Sequence, residues 1–248
     1  MKITSISILF LFSLLTSFSH SDTFNYLPAD TSKDEIVHHT AYTLKYDEKY
    51  EQADWVAYKL TKEMVEAPKV KRANNFRSDP AVKTGSATPS DYKKSGYDRG
   101  HLAPAGDMSW NVTAMSESFY MSNMSPQVAG FNRGVWKRLE DRVRAWATGN
   151  EEIYIVTGPI LKDGLSTIGK DKVAVPNYFY KVILDYKEPE LKGIGFVLPN
   201  EASKQPLTAY AVTIDSVEAL TGIDFFPVLP DSLEEKIEST IQRDKWGF

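Results

Sequence analysis

Apolar and polar positions divide the chain into segments of different kinds. Mostly apolar runs at 153–160, 178–186 and 193–200 lack a clean alternation, which predicts strands that are covered on both faces. Residues 42–61 contain two strand-like runs around a charged turn. Between residues 66 and 97, Pro, Gly, Ser and Asn are scattered with little periodicity, which predicts a long loop.

Helical periodicity is clearest at 131–147, where apolar residues recur at spacings of one, three, four and three. The residues of this stripe are Val135, Trp136, Leu139, Val143 and Trp146. The spacing predicts one apolar face of a helix, which Gly149-Asn150 would end.

Two further helices are predicted near the C-terminus from pairs with the spacing of a capping box. These pairs are Asp215 with Glu218 and Ser232 with Glu235. Strands and helices thus follow one another without a regular βαβ order, which predicts an α+β domain. No linker interrupts residues 22–248, which we expect to form a single domain, with the polar segment 22–40 as a loosely held arm.

The first residues have the features of a secretory signal peptide. Met1-Lys2 supplies a positive start, residues 3–18 are mostly apolar, and small residues up to Ser21 offer a cleavage site. We expect residues 1–21 to be removed and the protein to be secreted or periplasmic; an N-terminal membrane anchor is the alternative. No later segment reaches about 18 uninterrupted apolar residues, so we expect no stable membrane association of the mature protein.

Composition adds two restrictions. The chain has 248 residues, of which 42% are hydrophobic and 25% charged, as in ordinary globular proteins, and it contains no cysteine. The absence of cysteine excludes disulfide bonds and cysteine-ligated metals.

Charge is unevenly distributed, although the net charge is only −4. Residues 69–99 contain eight basic and three acidic side chains, and a second basic cluster follows at 133–144. Such clusters are typical either of solvated surfaces or of a positive cleft that binds a polyanion.

The stretch GYDRGHLAPAGDM at 96–108 places His101 beside charged residues. Asp98 could accept a hydrogen bond from one imidazole nitrogen or from nearby backbone, which would leave the other nitrogen as a base. Arg99 would project from the same side of an extended chain as His101, and Gly100 would permit close backbone approach. A base and a guanidinium aimed at one point suit attack on a phosphate. A purely structural histidine is the alternative.

A second candidate cluster lies on the predicted helix at 131–147. In an ideal helix Asn132, Glu140 and Arg144 share one flank. The Asn132 amide oxygen could be a single neutral ligand for Mg²⁺, and Glu140 could orient waters on the metal. The alternative is that Asn132 begins the helix and that Glu140 with Arg144 is an ordinary surface pair.

Three motifs resemble those of the DNA/RNA non-specific endonuclease family. They are YDRGHLAPAGDM at 97–108, FYMSNMSPQ at 119–127 and FNRGVWKRLEDRVR at 131–144, and further similar stretches extend over essentially all of the mature chain. The resemblance implies a ββα-metal (His-Me finger) nuclease fold, in which a strand carrying a histidine faces a helix carrying the metal asparagine. It also implies a central, mostly antiparallel sheet flanked by helices.

The resemblance also implies roles for single residues. By position, His101 matches the family's general base and Asn132 its direct Mg²⁺ ligand, with Mn²⁺ as an alternative metal. Arg99, Glu140 and Arg144 match positions around the phosphate and the metal waters.

Three further assignments concern the surroundings of this site. Asn123 matches an asparagine around the site, and Asp98 is expected to support it. The chain departs from the pattern at Asn74, where some secreted members have an arginine, and Arg72 or Arg77 would replace that arginine as the phosphate contact.

The function implied is that of a secreted Mg²⁺-dependent endonuclease that hydrolyses DNA and RNA to products with 5′-phosphate ends. Two other functions remain open on the sequence: a metal-dependent phosphodiesterase of small substrates, and a catalytically inactive relative that binds nucleic acid.

Overall fold

The computed structural model describes residues 24–29 and 35–248, so the predicted signal peptide at 1–21 lies outside the described residues. The strands are β1 (Glu35–His38), β2 (Thr43–Asp47), β3 (Gln52–Thr61), β4 (Asp98–His101), β5 (Met124–Gln127), β6 (Glu152–Pro159), β7 (Thr167–Ile168), β8 (Val173–Ala174), β9 (Tyr178–Asp185), β10 (Lys192–Pro199) and β11 (Ala211–Val212). The α-helices are α1 (Lys62–Glu66), α2 (Val112–Glu117), α3 (Lys137–Gly149), α4 (Ile214–Thr221) and α5 (Asp231–Glu238), and a π-helical segment spans Phe131–Trp136. Within these ranges no helix has the length and apolar character needed to cross a bilayer.

A seven-stranded sheet forms the centre of the fold, in the order β1-β2-β3-β6-β9-β10-β11. All neighbouring strands in it are antiparallel. The predicted α+β class with a central antiparallel sheet is therefore confirmed. The strands predicted at 42–61, 153–160, 178–186 and 193–200 are found close to their expected limits.

Both faces of this sheet are buried, which explains why its strands lack a clean alternation. On β3, Val56 and Tyr58 join the core that contains Leu139 and Val143 of α3. Trp55 points to the opposite face and joins the core that includes residues of α4 and α5. The helices thus form one layer on each side of the sheet.

A smaller hairpin and the following helix form the ββα unit implied by the resemblance. β4 pairs antiparallel with β5, with His101 opposite Met124. The indole Nε1 of Trp136 donates a hydrogen bond of 3.4 Å to the carbonyl oxygen of His101, which ties the helix to the end of β4. A Cβ on Gly100 would collide with the Gln127 side chain, so this glycine permits packing within the hairpin rather than the approach of a ligand.

The helix predicted at 131–147 proves to be two elements. Phe131–Trp136 is π-helical, and Gly134 has φ −109° and ψ −107°, outside the helical region. α3 begins at Lys137 and ends at Gly149, with Asn150 as C-cap, so the predicted end is confirmed. Asn132 lies in the segment before the kink at Gly134.

The prediction that residues 22–40 form a loosely held arm is wrong for residues 35–38. Residues 35–38 form β1 at the edge of the sheet. His39 follows this strand, and its Nε2 lies 2.9 Å from Oδ2 of the buried Asp79. A polar segment can pair along a sheet edge because an edge strand has one solvated side.

The expected C-terminal helices exist, but their predicted caps do not. Thr213 caps α4, because its Oγ1 accepts a 3.1 Å hydrogen bond from the Ser216 backbone N–H, and Pro230 precedes α5. Asp215 and Ser232 therefore lie inside the first turns. Acidic residues are favourable there through the helix dipole, so the same residue types mark a first turn as well as a cap.

Candidate active site

His101 lies in an aromatic niche at the end of β4. Its ring packs edge-on against Phe76 and Phe119, with centroid separations of 5.8 and 4.9 Å, and the residue is 8% exposed. Its Nε2 is buried and has no hydrogen-bond partner among the described residues. Burial, together with the positive charges of Arg72 and Arg99, lowers the pKa of His101 to about 3. The imidazole is therefore neutral at neutral pH and able to accept a proton.

The low pKa of His101 has a measurable consequence. Between about pH 3 and 6.5 the unfolded chain binds a proton here that the folded chain does not. The free energy of unfolding therefore rises with pH across this window, and the contribution is lost as pH falls toward 3. We expect the His101 ring resonances in NMR spectra to show no titration between about pH 8 and pH 4. A transition near the ordinary histidine pKa would contradict this environment.

Two arginines lie on either side of His101. The guanidinium of Arg99 is 3.9 Å from the centroid of the Phe76 ring, and that of Arg72 is 4.8 Å from the centroid of Phe119. Arg72 is further held by a 3.0 Å hydrogen bond from its Nε to Asn74 Oδ1. Both line the same cleft of about 320 Å³ as His101, as the alternation of a strand predicts for Arg99. The aromatic rings thus fix two cations next to a neutral base.

Asp98 does not contact His101, contrary to one expectation from the sequence. Its Oδ2 accepts hydrogen bonds from Asn132 Nδ2 at 2.9 Å and from Arg133 Nε at 2.8 Å, and its Oδ1 accepts from Arg133 Nη2 at 2.7 Å. The reason is that residues three apart in a strand project to opposite faces. Although burial opposes ionisation, Arg133 and Asn132 hold the pKa of Asp98 below its usual value.

Asp98 instead orients the candidate metal ligand. Because the Asn132 amide nitrogen is bound to Asp98, the amide oxygen is left on the other side, without a donor among the described residues. No group of three or more histidine or acidic ligands lies in the cleft within the described part of the chain. This donor set fits a hard cation such as Mg²⁺, which keeps several waters and takes phosphate oxygens as further ligands. Asn132 would hold the ion there.

Arg144 is fixed by a carboxylate that the sequence analysis did not assign. Its Nη1 donates a 2.6 Å hydrogen bond to Oδ1 of Asp107, which is buried and also accepts a 2.9 Å bond from the Tyr58 hydroxyl. A Cβ on Gly106 would come within 2.9 Å of Arg144 Nη1, so the bare backbone leaves room for the guanidinium. Asp107 belongs to the same sequence motif as His101, GYDRGHLAPAGDM at 96–108. Its place in that motif could have identified it as a site residue.

A buried lysine lies beneath the same site and was also missed. Lys181 on β9 is fully buried, its Nζ has no hydrogen-bond partner among the described residues, and it lies 4.8 Å from the Trp136 ring centroid. Burial lowers the pKa of Lys181, which the charge of Glu140 opposes. Burial also raises the pKa of Glu140, and the Lys181 charge opposes that rise. The sequence feature that could have identified Lys181 is a single lysine within the apolar run YFYKVILD.

Asn123 holds the chain that follows His101. Its Oδ1 accepts a 2.9 Å hydrogen bond from the Ala103 N–H, and its Nδ2 donates to the carbonyl oxygens of Ala103 and Ser118, each at 2.9 Å. The side chain is fully buried. Asn123 does not line the cleft. Its side chain instead holds the backbone that follows His101 in position.

Arg77 does not line the cleft that contains His101, so the structure favours Arg72 of the two arginines that the sequence offered as the phosphate contact. Its Nη1 donates to the carbonyl oxygens of Asn75 and Ser116 at 3.1 and 2.9 Å, and the guanidinium lies 3.9 Å from the Tyr120 ring centroid. These contacts use the charge to tie the loop to the end of α2. Arg72 is the arginine of this loop that faces His101.

The cleft brings together most of the predicted site residues. Its charged and polar lining consists of Arg72, Arg99, His101, Asn132, Arg133, Lys137, Glu140 and Arg144. Five basic side chains thus face one acidic side chain. Such a surface attracts polyanions and concentrates positive charge where a phosphate would be placed.

The model of the DNA/RNA non-specific endonuclease family matches residues 20–232. The chain belongs to this family. The match covers the ββα unit, the cleft and all strands of the central sheet.

Individual family members show the same relation. Nuclease C1 of Cunninghamella echinulata var. echinulata is 38% identical over 211 residues, which are 79% of this chain and 84% of that protein. The mitochondrial endonuclease G of Homo sapiens is 36% identical over 201 residues, 75% of this chain and 68% of that protein. The mitochondrial nuclease EXOG of Danio rerio is 37% identical over 207 residues, 77% of this chain, and the match spans 60% of that relative's length.

A solved structure of the family shares this fold. A chain in the crystal structure of the EndoG/EndoGI complex superimposes with a TM-score of 0.76 at 35% identity, covering 82% of this chain and 89% of that chain. The ββα-metal endonuclease fold expected from the sequence is thereby confirmed.

Proposed function

We propose that this member of the DNA/RNA non-specific endonuclease family is a Mg²⁺-dependent enzyme that hydrolyses phosphodiester bonds in both DNA and RNA. One observation carries the proposal. A buried, neutral His101 lies in the same basic cleft as an asparagine whose amide oxygen is oriented by Asp98. This combination supplies a proton acceptor, positive charge for a phosphate and a neutral oxygen ligand for a hard cation.

The chemistry follows from these positions. His101 accepts a proton from a water molecule, the water oxygen attacks phosphorus, and the bond from phosphorus to the 3′ oxygen breaks. The departing 3′ oxygen takes a proton from solvent, and His101 later returns its proton to solvent. Arg72 and Arg99 neutralise phosphate oxygens beside the base. When bound at Asn132, Mg²⁺ would supply Lewis-acid stabilisation of the phosphate and the departing 3′ oxygen. The products carry a 5′-phosphate and a 3′-hydroxyl.

Analysis of product ends tests this proposal. We expect the fragments of a digested plasmid to be ligated by DNA ligase once blunted and to accept label from polynucleotide kinase only after phosphatase treatment. Fragments that carry 3′-phosphates, and label without phosphatase, would show cleavage of the other phosphorus–oxygen bond and contradict the assignment of the 3′ oxygen as the leaving group. Cleavage of a small diester with intact polymers would indicate a different substrate class.

Weak sequence preference is expected because the basic lining contacts phosphates, which carry no base information. The same contacts make activity fall with salt, since cations compete for the phosphates. Mn²⁺ is expected to replace Mg²⁺, because an asparagine-and-water site discriminates little between hard divalent cations.

Arg72→Ala tests the assignment of the phosphate-contacting arginine. We expect kcat/KM on DNA to fall by about 10- to 100-fold, because a charge-assisted hydrogen bond is lost, and the slope of log activity against log salt to become shallower. Arg142→Ala is the matched control, since Arg142 is exposed on α3 and outside the cleft. Equal activities of the two variants across a salt series would contradict the role of Arg72.

The proposal includes export from the cytoplasm. It rests on the signal-peptide pattern of residues 1–21, namely a positive start, an apolar stretch and a small-residue cleavage site. Mass spectrometry of the protein recovered from the periplasm and medium of an expressing bacterial culture is expected to show an N-terminus near residue 22. Full-length protein confined to the cytoplasm would contradict export.

A further inference from the structure

A strongly acidic surface lies on the side of the sheet opposite α3. Residues 213–240, which contain α4 and α5, include seven acidic side chains and one basic side chain. The acidic residues are Asp215, Glu218, Asp224, Asp231, Glu234, Glu235 and Glu238. Both helices pack closely on β10, where a Cβ on Gly193 would come within 2.6 Å of Ile214 and 2.7 Å of Ile237. The catalytic cleft contains none of these residues.

Three of these carboxylates converge across the two helices. One oxygen from each of Asp215, Glu218 and Glu238 lies within 4.8 Å of the other two. Asp215 is exposed, Glu218 is half-buried and Glu238 is 2% exposed. The three carboxylates therefore extend from the protein surface into its interior. The Glu218 carboxylate is held in place because its Oε1 accepts a 2.7 Å hydrogen bond from the Phe225 backbone N–H.

Glu238 distinguishes this cluster from an ordinary acidic surface. Its Oε1 is buried and accepts no hydrogen bond from the described residues, while the charged groups around it are acidic. Burial, and then the charges of Glu218, Glu234, Asp215 and Asp224, raises the pKa of Glu238 to about 9. A buried carboxyl without a partner is costly, and here it faces two further carboxylates rather than a basic side chain.

We propose that Asp215, Glu218 and Glu238 bind a Ca²⁺ ion that joins α4 to α5. Ca²⁺ takes carboxylate oxygens at about 2.3–2.6 Å in flexible geometry, so three oxygens that lie within 4.8 Å of one another can all be its ligands. Mg²⁺ demands near-ideal octahedral geometry and usually keeps several waters with one or two carboxylates, so a group of three carboxylates suits Ca²⁺ better. Water completes the coordination on the exposed side at Asp215. The site is structural, and it goes beyond the proposed nuclease function.

Thermal unfolding of the purified protein tests this site with Ca²⁺ alone as the probe. We expect about 5 mM CaCl₂ to raise the Tm by about 5 °C relative to EDTA, the size expected for a sub-millimolar site in a domain of this length. Glu238→Gln is expected to abolish this rise. In EDTA the same variant is expected to be at least as stable as the natural protein above about pH 7, because it removes a buried acid that ionisation would destabilise.

Two control variants separate this site from other sources of calcium binding. Glu235→Gln removes an exposed acid from the same helix and is expected to keep the full rise in Tm. Asn132→Ala alters the catalytic cleft and is also expected to keep it. Asp215→Asn serves as a second cluster variant if Glu238→Gln does not fold.

Three results would overturn the calcium site: no rise in Tm for the natural protein, an undiminished rise in both cluster variants, or a rise that Asn132→Ala removes. Because the readout is stability, failure of the nuclease proposal would leave this test unaffected.

Discussion

Replacing His101 with alanine is expected to lower kcat on plasmid DNA by about 10³- to 10⁴-fold, the upper range for loss of a general base. The reason is local. In the proposed mechanism the His101 ring accepts the proton from water, and its low pKa keeps it unprotonated at neutral pH. Arg72 and Arg99 remain in the variant and still bind phosphate, so KM is expected to change by less than about tenfold.

The control for this variant concerns packing. His101 fills a niche between Phe76 and Phe119, so alanine leaves a cavity and is expected to lower the free energy of unfolding by about 1–3 kcal/mol. His101→Gln refills much of that space without a ring nitrogen that can accept a proton. If His101→Gln recovers stability but not kcat, the loss is chemical; if kcat returns with stability, His101 has only a structural role.

Asn132→Ala is expected to have the next largest effect, lowering kcat by about 10³-fold and shifting half-maximal activity to higher Mg²⁺. The physical reason is the loss of the protein oxygen that Asp98 orients toward the cleft. Activity measured across a MgCl₂ series separates this effect from a loss of substrate affinity.

Asn75→Ala is the matched control for Asn132→Ala. Asn75 is an exposed asparagine that hydrogen-bonds Ser116 outside the cleft, and we expect an unchanged Mg²⁺ dependence. An unchanged Mg²⁺ midpoint in Asn132→Ala would show that the ion is held elsewhere.

The regular elements were predictable because their patterns are local. The apolar stripe of α3 and the uninterrupted apolar runs of β6, β9 and β10 follow directly from burial on one or two faces. The kink within Phe131–Trp136 was not predictable from periodicity, because it lies in the non-helical backbone at Gly134. The residue types there are compatible with an ordinary first turn.

Contacts between distant segments were the part that the sequence could not supply. Residue types drew attention to Asp98, but its partners, Asn132 and Arg133, are 34 and 35 positions away. The choice between Arg72 and Arg77 likewise depends on which aromatic ring each guanidinium covers, Phe119 or Tyr120.

Buried charges were harder still to assign from sequence. Lys181 and Asp107 are electrostatically coupled to the same two side chains, Glu140 and Arg144. Only the fold brings these four charges together. A single lysine in a strand or a single aspartate in a loop gives no such information.

The most direct test of the central claim is cleavage of two polymers by the purified protein. Supercoiled plasmid and a structured RNA would each be incubated with Mg²⁺, and in parallel with EDTA. We expect both polymers to be degraded with Mg²⁺ and both to remain intact in EDTA. Intact plasmid and RNA with either Mg²⁺ or Mn²⁺, from protein shown to be folded, would contradict the account of a metal-assisted nuclease centred on His101.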